Sequence, residues 1–130
     1  MSGDKEELVR SGYDEFNREK APPKTWLPDG EFVNTREDPD HAIHRGIEAI
    51  RKQHQDWFDA YPDLHVEPLE IKVNGDRVFA WIRLTGQGAV SGIAMDMAYA
   101  HVWTLEGDKV RRIEEFLDRD EALHEAGLRE

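Results

Sequence analysis

The 130-residue chain contains no cysteine. Disulfide bonding, a thiolate nucleophile and cysteine-ligated zinc are excluded together. Apolar runs are short, and none approaches the roughly 20 residues of a membrane-spanning helix. The stretch from Met1 to Arg10 lacks the apolar core of a secretory signal, so cytoplasmic residence away from membranes is the expectation. Cations are the scarcer charge: 17 Lys and Arg stand against 28 Asp and Glu, a net charge of −11. Affinity for nucleic acid comes from cations that neutralise phosphates, so this balance argues against a nucleic-acid partner and against a polyanionic ligand. No metal is expected: His41 and His44 precede a helix and His54 lies ten residues beyond, which is no recognised ligand spacing. Gly86-Gln87-Gly88 ends a strand instead of opening a helix, so it builds no phosphate loop.

What is present is a set of heavy apolar anchors: four Trp, five Phe and three Tyr. They are enough to fold residues 1–130 as a single domain. Leu8, Val9, Tyr13 and Phe16 form one stripe of a helix over residues 4–20, which Ala21-Pro22-Pro23 stops. Trp26 and Leu27 then lead to a Pro28-Asp29-Gly30 turn and a short strand at Phe32 and Val33. Residues 35–40 read as a polar loop. A second helix starts near Gly46 and runs to about Tyr61, with Ile47, Ile50, His54, Trp57, Phe58 and Tyr61 on its apolar stripe.

Residues 64–117 alternate as strands do. Inward parity switches at Pro68, from Leu64 and Val66 to Leu69, Ile71 and Val73, which predicts a bulge. Asn74-Gly75-Asp76 predicts a hairpin. Residues 77–85 are apolar on both parities, as in a strand covered on both faces. In residues 93–105 the odd positions are bulky (Tyr99, His101 and Trp103 among them), while the even ones are small or polar, open to close approach by another surface. Residues 110–117 return with Ile113, Glu115 and Leu117 on one face, and Asp118 or Asp120 caps a last helix that ends at Gly127. Helices first, then an antiparallel meander, then one helix: the class is α+β.

The runs His44-Arg45-Gly46-Ile47-Glu48-Ala49-Ile50, Ala100 to Val110, and Leu117 to Leu123 with Ala126-Gly127-Leu128 resemble, in order and spacing, the SnoaL-like branch of the ketosteroid-isomerase fold. That resemblance implies a cone-shaped barrel of strongly bent antiparallel sheet wrapped by about three helices. It also implies one deep pocket and a homodimer formed through the outer sheet face, at positions such as Ala98 and Ala100. Its isomerases use an Asp base and two oxyanion donors, a Tyr and a protonated Asp. By position the Tyr matches Tyr13 and the base matches Asp38. The second donor falls on Ala100 or His101, so the protonated Asp is missing.

Three readings follow. The first is an enzyme acting without a cofactor on a small, hydrophobic carbonyl compound, by isomerisation, cyclisation or dehydration. Asp38 or Glu115 removes a proton, and Tyr13 and His101 donate to the enolate. Phe16, Trp26, Trp57, Tyr99, Trp103 and Leu117 line its pocket. The second is a non-catalytic binder of a hydrophobic ligand, and the third an assembly module paired through its sheet. Each candidate also has a bland reading, as a core tyrosine, a solvated loop acid, an interior histidine or half of a buried ion pair.

Overall fold

The computed structural model describes residues 2–35 and 42–128; Asp38 and His41 lie outside the described residues. Helix α1 (Ser2–Glu19) is followed by strands β1 (Trp26–Val33) and β2 (Ile43–Arg45) and helix α2 (Ile47–Ala60). Strands β3 (His65–Asn74), β4 (Arg77–Gln87), β5 (Ala94–Glu106) and β6 (Lys109–Phe116) come next, and helix α3 (Arg119–Glu125) closes the order. All six strands form one sheet in the order β2-β1-β6-β5-β4-β3, and the three helices wrap it into a cone-like α+β fold. No described helix is long and apolar enough to cross a membrane.

Two features differ from the antiparallel barrel expected. The sheet is open, and it is mixed, because β1 pairs with β6 in parallel while the other ladders are antiparallel. The Pro28-Asp29-Gly30 segment is not a turn but part of β1, whose register against β6 shifts between Trp26 and Glu31. Proline and glycine interrupt a ladder here without reversing the chain. A side chain at position 30 would meet the Trp26 ring at 2.6 Å and the Arg111 carbonyl at 3.2 Å, so glycine is what lets the indole lie against the strand. The three-residue β2 is too short to show any alternation. Gly46, at φ 90°, carries the chain from it into α2.

The parity switch at Pro68 is a bulge: the β3–β4 register shifts between Pro68 and Glu70, and Leu69 is left 49% exposed. Edge strand β3 is covered by α1. There Asn17 Nδ2 donates to the Val66 carbonyl at 2.8 Å, and the Val66 N–H donates back to Asn17 Oδ1 at 2.9 Å.

Alternate residues of β4 and β5 enter two separate cores. Val78, Ala80, Ile82, Tyr99 and Trp103 join Val9, Tyr13, Phe16, Ile50 and Phe58 of the helices. Phe79, Ala100, Val102 and Phe116 pack instead beneath Ala122 and Ala126 of α3. Asp118 caps α3 by accepting from the N–H groups of Asp120 and Glu121. Ala100, expected on a dimer face, is therefore fully buried within its own chain. The small residues of β5 receive the C-terminal helix at Ala100 and Val102, and only Ala94, Asp96 and Ala98 remain open. Ile93 lies before β5 and is exposed.

Candidate functional site

Between α1, α2 and the concave face of the sheet lies a cavity of about 290 Å³. Phe16, Trp26, Trp57, Tyr99, Trp103 and Leu117 all stand in its wall. So do Tyr13, His101 and Glu115, from α1, β5 and β6. Ala100 points the other way, under α3, which leaves His101 as the β5 residue at this level of the cavity.

A buried hydrogen-bond chain runs through the wall. Trp103 Nε1–H, which can only donate, gives its hydrogen to Tyr13 Oη at 2.9 Å. Tyr13 Oη lies 2.7 Å from His101 Nδ1. The opposite ring nitrogen, Nε2, has no hydrogen-bond partner and lies 4.0 Å from Glu115 Oε2, His101 and Glu115 being directly opposed on β5 and β6. A carboxylate at that distance favours the tautomer with the proton on Nε2. Nδ1 then accepts from Tyr13, whose single O–H is used up inside the wall. Tyr13 sits close to Trp103 because Gly12 has no side chain: a Cβ there would meet the indole at 2.8 Å.

Burial pushes the Tyr13 hydroxyl far above its ordinary range, opposed by the hydrogen bond from Trp103 and reinforced by the charge of Glu115. Tyr99, whose ring stands edge-on to His101 at 5.3 Å, is also raised well above 10. Burial is again the main cause, followed by the charge of Glu115. Both phenols stay protonated, as donors.

Glu115 is fixed at its other oxygen. Asn34 Nδ2 donates to Oε1 at 3.4 Å and the Thr35 N–H donates at 3.3 Å. Asn34 is itself oriented: its Oδ1 accepts from Gln53 Nε2 at 3.2 Å and lies 3.0 Å from His44 Nε2. The segment after β1 thus holds the carboxylate directly, and α2 and β2 hold it through Asn34. Sequence reasoning missed Asn34, whose only signal was its place at the end of the Phe32-Val33 strand.

It also gave His54 no role beyond a helix face. His54 is buried in the cavity wall, with Phe16, Phe32 and Trp57 rings 5.2, 5.8 and 4.7 Å away. Desolvation, helped by His101 and His44, lowers its pKa to about 3 and keeps it neutral. Among the described residues no group of three or more His, Asp or Glu side chains is placed to hold a metal ion. Among the described residues the cavity wall contains no Lys or Arg. The arrangement can donate a hydrogen bond from a neutral imidazole and accept a proton on a carboxylate.

A sequence model of the SnoaL-like domain matches residues 9–113. No curated protein gives a significant match. Among solved structures, a SnoaL-like polyketide cyclase, so described provisionally, from Jannaschia sp. CCS1 is 23% identical, with TM-score 0.75 over 90% of this chain and 87% of that one. A hypothetical protein of ketosteroid-isomerase-like fold from Catenulispora acidiphila, in complex with trimethylamine, is 17% identical, with TM-score 0.75 over 94% and 93%. TerC, co-crystallised with polyporic acid, is 21% identical, with TM-score 0.73 over 95% and 97%.

Proposed function

The chain belongs to the SnoaL-like domain family, and from that premise we propose that its cavity binds a small, hydrophobic carbonyl compound and moves a proton on it without a cofactor. One observation carries the reading: a partnerless histidine nitrogen opposite a fixed carboxylate, both in an apolar cavity. His101 Nε2 is itself buried, so a bound carbonyl group brings its oxygen to Nε2–H and its adjacent carbon to Glu115 Oε2 after small rotations of both the imidazole and the carboxylate, which stand 4.0 Å apart. Glu115 takes the proton from that carbon. His101 stabilises the enolate oxygen. Returning the proton to another carbon of the skeleton gives an isomerisation, whereas attack of the enolate carbon on a second carbonyl of the same molecule, whose alkoxide oxygen then takes the proton from Glu115, gives ring closure. Tyr13 acts behind His101 as a positioning residue. Asp38 is the base that the family resemblance implies, and the same assay tests it. Pairing of two copies over Ala94, Asp96 and Ala98 belongs to this reading as a homodimer contact.

The test is hydrogen–deuterium exchange at the carbon next to the carbonyl of α-tetralone, followed by NMR in heavy water. The wild type exchanges it above background, and Glu115→Gln and His101→Gln each lower the rate about 100-fold. If Asp38→Asn alone abolishes exchange, the base is Asp38 and not Glu115. Binding without exchange selects the second reading, a non-catalytic hydrophobic-ligand binder, which the aromatic wall favours. Absence of binding removes both.

A further inference from the structure

We infer that His54 is a second polar anchor of the cavity, so that the ligand carries a further hydroxyl or carbonyl oxygen remote from the carbonyl at His101. The inference rests on the carbonyl reading above and narrows its substrate class to flat, apolar compounds with two separated oxygen functions.

His54 is only 4% exposed, and its Nδ1 has no hydrogen-bond partner. Buried polar atoms are nearly always paired, and an aromatic or aliphatic side chain would fill this space without leaving a nitrogen unsatisfied. Among the described residues none pairs with Nδ1, and Phe16, Phe32 and Trp57 close around the ring. What it does border is the cavity. The Phe32 ring separates the two imidazoles, with centroids 5.8 Å from His54 and 5.8 Å from His101, both nearly perpendicular to it. One cavity is thus walled by two imidazoles at distinct points, each with a nitrogen lacking a partner, by the Trp26 indole, whose Nε1 also lacks one, and otherwise largely by apolar side chains.

The kind of oxygen follows from charge. A neutral imidazole has one N–H and one lone pair, so it serves a hydroxyl or a carbonyl equally. It offers no charge to a phosphate or carboxylate, and among the described residues the wall supplies no Lys or Arg while it does contain Glu115. The second function is therefore uncharged.

Calorimetric titration of α-tetralone and of its ring-hydroxylated isomers, with the hydroxyl para or meta to the carbonyl, tests this. Wild-type protein is expected to bind one hydroxylated isomer about ten-fold tighter than α-tetralone. His54→Phe is expected to erase that preference, so that the hydroxylated isomer and α-tetralone bind the variant within about three-fold of each other. Nitrogen NMR of the wild-type His54 ring supplies a readout that needs no variant: its signals move with the preferred isomer and not with α-tetralone. Equal binding of all three probes by the wild type, an unmoved His54 signal, or a preference that survives in His54→Phe overturns the inference and leaves the carbonyl site standing. Failure of every probe to bind the wild type overturns the carbonyl reading itself.

Discussion

The two faces of β4 and β5 are built from alternate residues of the same strands, yet they are finished differently. On the outer face Phe79, Ala100, Val102 and Phe116 meet Ala122 and Ala126, with no polar side chain among them and Arg119 laid over the Phe79 ring at 5.4 Å. On the inner face the same strands leave about 290 Å³ unfilled and bury His101 with a nitrogen that no neighbour satisfies. A filled face contributes stability in proportion to the apolar area it hides. An unfilled face with unpaired polar atoms gives some of that up, which is the pattern of a surface shaped for binding. One sheet therefore carries a filled side and an unfilled one.

The largest test of that contrast is on the filled side. Phe79→Ala removes a fully buried ring and is expected to cost about 3–5 kcal/mol in urea unfolding. Affinity of the surviving folded protein for α-tetralone should be unchanged; loss of binding in parallel would mean that the two faces are not separable. The next test uses acidity. Below pH 6.5 the unfolded chain takes a proton at His54 that the folded chain, at about 3, does not accept, so stability falls as pH falls through that window and is flat above it. By pH 5 the loss is about 2 kcal/mol, and His54→Gln should flatten the acid limb of the unfolding midpoint; an unchanged limb would place the titration elsewhere. The smallest effect is Tyr13→Phe. It leaves Trp103 Nε1 and His101 Nδ1 without their partner, an expected loss of about 1–2 kcal/mol, and lowers exchange by freeing the imidazole to turn. A variant as stable and as active as wild type would show that the chain has no such role.

Periodicity made much of this legible. The stripe of α1, the stripe of α2, the bulge at Pro68 and the odd-numbered face of β5 are local patterns; Tyr13, Phe16, His54, Trp57, Tyr99, His101 and Trp103 face the cavity as their parity implies, whereas Leu69 and Ile93 are exposed. What escaped was set by partners distant in sequence. The parallel pairing of β1 with β6 has no local signature, and Pro28 with Gly30 resembles a turn whether the chain reverses or a ladder shifts. Ala100 looked free because a small residue reads the same when it faces a dimer and when it faces α3. His54 was visible as part of a stripe, but its lack of a partner is a property of Phe16, Phe32 and Trp57 together. Asn34 has no pattern at all, since its orientation depends on Gln53 and His44.

The chain from Trp103 through Tyr13 to His101 has a direction, and it starts at an atom with nothing to hand on. An indole nitrogen gives a hydrogen bond and accepts none, so no relay to bulk water opens from that end. On the reading proposed here, proton exchange with solvent, on which the heavy-water test depends, therefore runs on the Glu115 side and not through the chain behind His101.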